Sequence, residues 1–131
     1  MFRSTFLYLG IFTIFVSIFS LLNILFCYYF DTLLNIQVYY SCLLVSSFLG
    51  ATFIFFNKKF LNVKVNFFEK LFLVIAGFFY FPLLISMPYY LSIYDISFIN
   101  SYFEAISGFT STGFTMFKNV KEIDEPLLIW R

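Results

Sequence analysis

Three long apolar runs constrain this chain more than any other feature of its sequence. They extend over residues 5–30, 38–56 and 71–94, and the first two contain no Asp, Glu, Lys or Arg. Each run reaches the roughly 20 residues that an α-helix needs to cross the hydrocarbon core of a bilayer. Since the 131-residue chain is 62% hydrophobic and only 11% charged, a soluble fold of this size could not bury its apolar surface. We therefore predict an all-α membrane protein with three transmembrane helices in contact with membrane lipid.

The distribution of lysine and tyrosine predicts how these helices are oriented. Positive residues collect on the cytoplasmic side of a membrane, and tyrosines collect at its interfaces. The segment between the first two runs has no positive charge. The segment between the second and third runs carries Lys58, Lys59, Lys64 and Lys70. Tyrosines flank the segments assigned to the outside, namely Tyr28, Tyr29, Tyr39, Tyr40, Tyr89, Tyr90 and Tyr94. We predict a multi-pass protein of the cell (inner) membrane with a cytoplasmic N-terminus.

A shorter apolar segment, residues 96–109, follows the third run and is too short to cross the bilayer. Ser101 and Glu104 have the S-x-x-E spacing of a capping box, which predicts a short helix that begins near Asn100 or Ser101. Gly108 and Gly113 are expected to end this helix and to open the chain. We predict a re-entrant helix whose C-terminal end points toward the membrane centre, where its partial negative charge favours a cation.

The loop that follows this helix, GFTSTGFT from Gly108 to Thr115, is rich in hydroxyl groups. Non-helical backbone is tolerated at membrane depth only where protein buries it or where it lines a water-filled cavity. Cation filters supply rings of backbone carbonyl oxygens, and glycine permits the backbone angles that aim successive carbonyls at one axis. The hydroxyls could add oxygen ligands or support the loop from behind. Taken alone, the motif also fits an ordinary extracellular turn.

The stretch FEAISGFTSTGFT, followed by IDEPLLIWR, resembles the first pore region of the Trk/Ktr potassium transporters, and specifically the pore-forming TrkH-type subunit. The stretch KLFLVIAGFFYFPLLISMPYYL resembles the helix before that pore loop, so the resemblance covers residues 70–131. Residues 1–68 agree with the family only in topology. The resemblance implies two parts: residues 1–62, with two preceding transmembrane helices, and residues 63–131, an incomplete first pore unit truncated at the start of its second helix.

In that family four helix–loop–helix units surround one K⁺ pathway, and each unit contributes a filter loop with a central glycine. The capping-box spacing predicts that Ser101 and Glu104 support the pore helix, and the resemblance implies that Glu104 matches the family's pore-helix glutamate. A capping role for Glu104 is compatible with a role in concentrating cations near the mouth. Ser111 stands where threonine is usual. The residues matched to the ion-binding filter are Thr110, Ser111, Thr112, Gly113 and Phe114.

The resemblance implies a component of a potassium uptake system, with K⁺ as the transported ion and no other cofactor. One loop of four is not a pore, and the sequence stops at Arg131, near the start of the next helix. We therefore expect the remaining pore units, or a second chain that supplies them, as partners, with a homo-oligomer as an alternative. A cytoplasmic nucleotide-binding regulatory subunit is implied by the family. The net charge of +1 gives no sign of a nucleic-acid partner.

Two other kinds of function are alternatives to ion transport. A small helical membrane scaffold or binding protein, or a non-functional remnant, would show no ion flux. An enzyme is disfavoured, because the sequence has no histidine and its apolar runs hold no carboxylate pair or Ser-Lys dyad. Cys27 and Cys42 lie in apolar runs without metal-ligand spacing and are predicted to pack as small hydrophobes. Pro82 is predicted to kink the third helix.

Overall fold

The computed structural model describes residues 3–60, 65–119, 121 and 123–131. Within these residues the chain is helical and has no strand. Lys64, one of the lysines used to predict the orientation, lies outside the described residues. The helices are α1 (Arg3–Tyr29), α2 (Ile36–Asn57), α3 (Phe67–Tyr90), α4 (Phe98–Phe109) and α5 (Glu125–Trp130), and a 3₁₀ turn, Lys58–Phe60, follows α2.

The helices α1, α2 and α3 are each long and apolar enough to cross a membrane, as the three apolar runs predicted. The third helix lies about four residues earlier in the chain than the 71–94 run. It begins early because the Glu69 carboxylate accepts a hydrogen bond from the backbone N–H of Asn66 at 3.1 Å, which caps the first turn. At the other end, the Ser92 hydroxyl donates to the Tyr89 carbonyl at 2.7 Å and competes with continued helix.

Two glycines allow α1 and α2 to approach closely. A Cβ atom on Gly10 would lie 2.8 Å from Phe53 Cβ and 3.1 Å from the Gly50 carbonyl oxygen. Any larger side chain there would push the helices apart. The contact continues toward the N-terminus of α1, where the rings of Phe6 and Phe53 meet edge to face at 5.9 Å. Small residues that bring backbones together are a common way of packing helices in membranes.

The helix α3 is continuous through both of its prolines, so the predicted kink at Pro82 stays a prediction. Pro88 has no N–H to donate to the Leu84 carbonyl one turn earlier. The Cys42 thiol of α2 lies 4.0 Å from that carbonyl oxygen and donates to it. Both Cys27 and Cys42 are buried and form no disulfide, which agrees with their prediction as small hydrophobes.

The buried core lies at the end of the bundle where α1 ends and α2 begins. Cys27, Tyr39, Tyr89 and Leu127 are at most 1% exposed, and Trp130 of α5 packs against them. In contrast, large apolar side chains along the spans face outward, including Phe19, Phe48, Phe55 and Phe79. So much exposed hydrocarbon suits a lipid surround rather than water.

The short helix α4 runs back along α3. The Phe109 ring, at its C-terminal end, meets the Phe78 ring at 5.7 Å, and the Phe98 ring, at its N-terminal end, meets the Tyr90 ring at 6.0 Å. The two helices are therefore antiparallel. With 12 residues, α4 is about 18 Å long, which is too short to cross a bilayer. A non-helical connection then leads to α5.

Candidate functional site

The helix α4 begins earlier than the sequence predicted, and the capping-box prediction is wrong. Ser97 is the N-cap residue, and its hydroxyl accepts from the backbone N–H of Asn100 at 3.4 Å. Ser101 therefore lies inside the first turn, with its hydroxyl fully buried and without a hydrogen-bond partner in the described part of the chain. Glu104 makes no reciprocal bond to Ser101, because its carboxylate is used elsewhere.

The end of α4 also differs from the prediction. The helix continues through Gly108 to Phe109, and the residue that ends it is Ser111, whose φ of 55° is left-handed. The Ser111 N–H donates to the Gly108 carbonyl at 3.1 Å and the Thr112 N–H donates to the Ser107 carbonyl at 3.0 Å. This pair of bonds is a Schellman motif. A serine thus takes the place that glycine usually fills at a helix end.

Gly108 has another reason to be glycine. A Cβ atom at this position would lie 2.3 Å from the carbonyl oxygen of Arg131. No side chain fits in that distance, so the absence of one lets the end of α5 lie directly against α4. Gly113 is different, because a Cβ there would meet nothing within 4 Å. Its φ of +79° is the constraint, since only glycine adopts that region without strain.

The five residues predicted as a filter stand together on the surface as a continuous exposed segment. Phe114 is 69% exposed, and the other four residues are exposed as well. The backbone carbonyl oxygens of Thr110, Ser111 and Thr112 accept no hydrogen bond within the described part of the chain. The structure therefore brings the five predicted residues together as an exposed strip of backbone. The carbonyls without a partner belong to its first three residues, Thr110, Ser111 and Thr112.

The hydroxyl groups of this segment bind α4 instead of adding to the exposed strip. The Thr110 hydroxyl donates to the Ile106 carbonyl at 2.7 Å, and the Thr112 hydroxyl lies 3.3 Å from the Ser107 carbonyl and 3.2 Å from the Ser107 hydroxyl. Ser107, which is 3% exposed, donates its own hydroxyl to the Phe114 carbonyl at 2.6 Å. Of the two roles considered for the hydroxyls, support from behind is the one these contacts describe.

Glu104 anchors the segment that runs back along α4 after the loop, which is called the return segment and includes Thr115 and Met116. Its side chain is fully buried, and its Oε1 accepts hydrogen bonds from the Thr115 hydroxyl at 2.6 Å and from the backbone N–H of Met116. Its Oε2 makes no hydrogen bond but lies 3.5 Å from Arg131 Nε, at ion-pair distance. A buried carboxylate needs such partners, because an unpaired charge is strongly destabilising away from water.

Arg131 divides the predicted filter into two parts. Its Nη2 donates to the carbonyl oxygens of Gly113 at 3.1 Å and of Phe114 at 2.9 Å. These two carbonyls are therefore already paired with a cationic group, whereas those of Thr110, Ser111 and Thr112 have no such partner among the described residues. The position of Arg131 is fixed by its neighbour Trp130, whose indole N–H donates to the Ile85 carbonyl at 2.9 Å.

Sequence reasoning missed Ser107 and the role of Arg131. Ser107 occurs in a short Ser/Gly stretch with no recognisable spacing to Phe114, so no sequence signal could have identified its contact. Arg131 ends the stretch IDEPLLIWR, and the resemblance of that stretch predicts no contact between Arg131 and the loop. The chemistry that this site offers is a row of backbone oxygens, a buried carboxylate and one guanidinium that contacts both. Hard monovalent cations are bound by such oxygens.

A second polar cluster closes the core end of the bundle. Asp124 Oδ1 accepts from the Asn35 amide at 3.1 Å and from the Tyr94 hydroxyl at 3.0 Å, and the Asp124 N–H donates back to the Tyr94 hydroxyl at 2.8 Å. Burial raises the pKa of the Tyr94 hydroxyl above its usual range, and the charge of the Asp124 carboxylate acts in the same direction. These bonds tie the α1–α2 turn and the α3–α4 connection to the start of α5.

Comparisons of the chain with protein-family models, with curated proteins and with solved structures find no match.

Proposed function

We propose that this chain is a membrane component of a potassium uptake system and that it contributes one filter loop to a cation pathway. One observation carries the proposal: a short helix folded back against a membrane-length helix is followed by an exposed strip of backbone, with unoccupied carbonyls at Thr110, Ser111 and Thr112. The resemblance of this segment to the Trk/Ktr pore region supports the same assignment.

The geometry suits the chemistry of cation transfer. A K⁺ ion that leaves water must exchange its hydration shell for other oxygens, and backbone carbonyls replace it without a formal charge that would hold the ion too tightly. The C-terminal end of α4 adds partial negative charge near the loop. The membrane potential would drive uptake by about 2.3 kcal/mol for each charge and 100 mV.

In this proposal α4 is a re-entrant pore helix, and its C-terminal end and the loop lie within the membrane. The N-terminus and the Lys58–Lys59 segment face the cytoplasm of a cell whose inner membrane holds the protein. The strip of backbone offers oxygens from one side only, so a complete ion site requires further loops from other pore units or from a second chain. A cytoplasmic nucleotide-binding subunit is a further proposed partner.

The proposal is tested on the tagged protein extracted from membranes together with the chains that copurify with it. The assembly is reconstituted into liposomes, and uptake of ⁸⁶Rb⁺ is measured under an inside-negative potential with K⁺ or Na⁺ as competitor. We expect K⁺ to compete and Na⁺ to compete poorly. In Gly113→Ala this discrimination should fall about tenfold, because the strained φ displaces the neighbouring carbonyls.

Ser47→Ala is the matched control, since the Ser47 hydroxyl binds only the Leu44 carbonyl of its own helix. It should behave as the unsubstituted protein does. Unchanged K⁺/Na⁺ discrimination in an assembled Gly113→Ala protein would refute the filter assignment. The absence of flux from every assembly would instead favour the scaffold function, for which the chain's wide exposed apolar surface is suited.

A further inference from the structure

We propose that the guanidinium of Arg131 is a built-in competitor of the transported cation, an inference that rests on the proposed function. The loop that is proposed to bind K⁺ already has a cationic group on two of its carbonyls. Arg131 Nη2 lies 3.1 Å from the Gly113 oxygen and 2.9 Å from the Phe114 oxygen. Gly113 is also the residue whose left-handed backbone orients this part of the loop.

A guanidinium and a monovalent metal ion make the same demand on a carbonyl oxygen, since both are attracted by its lone pairs. The Phe114 oxygen has further commitments, because it also accepts from the Ser107 hydroxyl at 2.6 Å. With two donors on that oxygen, little capacity remains for an ion. In addition, a metal ion beside the guanidinium would meet a like charge within a few ångström. An ion can therefore use the Gly113 and Phe114 oxygens only after Arg131 has moved away.

The Arg131 side chain is held by one ion pair and two hydrogen bonds, and it is partly exposed to solvent. Its Nε lies 3.5 Å from Glu104 Oε2, which is ion-pair distance but not a hydrogen bond. Its side chain remains 21% exposed, so it has open space into which it can turn. The backbone beneath it is fixed by its contact with Gly108 and by the Trp130 indole bond to the Ile85 carbonyl. Withdrawal therefore leaves the backbone in place, but it breaks the ion pair with Glu104 and the two bonds to the loop carbonyls.

This arrangement divides the loop by function. No group of the described residues occupies the carbonyls of Thr110, Ser111 and Thr112, whereas those of Gly113 and Phe114 are available only in the fraction of molecules whose Arg131 has withdrawn. The apparent affinity for the ion is reduced by that fraction. If one molecule in about ten is open, removal of the guanidinium tightens binding about tenfold.

The test measures equilibrium binding of ⁸⁶Rb⁺ to the purified membrane assembly, in choline chloride to hold the ionic strength constant. Arg131→Gln is compared with Lys118→Gln, which removes the same charge from an exposed side chain beyond the end of the loop. Within the described part of the chain Lys118 makes no hydrogen bond or ion pair with the five filter residues, so its removal changes only the general electrostatic field. We expect Arg131→Gln to bind Rb⁺ about tenfold more tightly than the unsubstituted protein and Lys118→Gln to differ by less than about twofold.

The double variant E104Q/R131Q separates competition from the attraction of a newly unpaired carboxylate. It removes both members of the ion pair, so the net charge stays the same. Competition predicts that its gain in Rb⁺ affinity persists, whereas a gain that vanishes would assign the effect to Glu104 and overturn the inference. Arg131→Lys keeps the positive charge but loses the fork of donors, and a smaller gain is expected from it. It also serves if Arg131→Gln does not fold.

The remaining outcomes are distinguishable. Weaker Rb⁺ binding in Arg131→Gln would mean that Arg131 holds the loop in its binding shape, and equal gains in Arg131→Gln and Lys118→Gln would mean a general field effect. Either result overturns the competitor inference and leaves the proposed function standing. If no folded variant and no unsubstituted assembly binds Rb⁺, the proposed function fails, and this inference fails with it.

Discussion

The Thr115 hydroxyl donates a 2.6 Å hydrogen bond to Glu104 Oε1, and this bond joins the middle of α4 to the segment that returns along it. The two residues are eleven positions apart in sequence. The same carboxylate oxygen accepts from the Met116 N–H, and its other oxygen faces Arg131. One buried side chain therefore holds the return segment and balances the guanidinium that contacts it.

Replacement of Glu104 should reveal both functions. Glu104→Ala leaves the Thr115 and Met116 donors and the Arg131 charge without a partner, and we expect a loss of about 3 kcal/mol of unfolding free energy, the low end for a broken buried pair because Arg131 is 21% exposed. Glu104→Gln keeps an acceptor for the two donors and should lose only about 1 kcal/mol. Equilibrium unfolding in mixed micelles measures both values. Equal losses in the two variants would contradict this division.

The stability of Gly113 variants should depend on how well the new residue tolerates a positive φ and not on the size of its side chain. Its φ of +79° is unfavourable for any residue with a Cβ, but a Cβ there would meet nothing within 4 Å. We expect Gly113→Ala to lose about 1–2 kcal/mol of unfolding free energy and Gly113→Asn to lose less, because asparagine tolerates left-handed backbone. The same unfolding measurement decides the order. A Gly113→Asn protein less stable than Gly113→Ala would show that φ is not the constraint.

Gly108→Ala should act through a steric clash and not through the backbone angle. The new Cβ would lie 2.3 Å from the Arg131 carbonyl oxygen, so the end of α5 must move. Trp130, the single tryptophan of the chain, should then lose its bond to the Ile85 carbonyl and shift its fluorescence emission to longer wavelength. Gly113→Ala should leave the emission unchanged and is the control. An unshifted spectrum in Gly108→Ala would contradict the close contact.

Tyr94→Phe should destabilise the protein at neutral pH and change its stability in alkali. The lost hydroxyl donates to Asp124 Oδ1 and accepts from the Asp124 N–H, and we expect a cost of about 1–3 kcal/mol. Because the pKa of Tyr94 is raised in the folded protein, its contribution to stability is fully present below the pKa of the unfolded chain and is lost as pH rises through the folded pKa. The difference between the two proteins should therefore narrow above about pH 10.

The control for this measurement is Tyr90→Phe, because the Tyr90 hydroxyl makes no hydrogen bond among the residues that the structure describes and its side chain is 52% exposed. Its unfolding free energy should follow that of the unsubstituted protein across the same pH range. A difference between Tyr94→Phe and the unsubstituted protein that stays constant from neutral to alkaline pH would rule out a raised pKa at Tyr94.

The three membrane-length helices could be predicted from the sequence because their cause is local. Each consists of a run of apolar residues, and nothing distant is needed to make it helical in a bilayer. The residues at which the helices begin and end were less predictable. Glu69 and Glu104 stand in similar S/N-x-x-E patterns, yet only Glu69 turns back to its own N-cap, at Asn66. Glu104 is bound instead by Thr115 and Arg131, which no local pattern could reveal.

One backbone feature of the candidate site could be predicted from the sequence, but the contacts of the site could not. Gly113 has the left-handed backbone that the filter interpretation expected of a glycine. Gly108 was expected to end α4, but it serves a contact with Arg131 from a separate helix, and Ser111 ends α4 instead. Interactions between α4 and α5 depend on the tertiary fold, so they are not encoded in the spacing of the loop motif.

The Schellman bonds and the Glu104 anchor together make this segment sensitive to its length. Hydrogen bonds join Thr112 and Phe114 to Ser107, and another joins Thr115 to Glu104. The chain between these residues therefore cannot take up a change in length. A single inserted or deleted residue between Ser107 and Thr115 would put every later group out of register with its partner. Related chains should therefore differ in length in the turns between their spanning helices, while these nine positions keep a constant count.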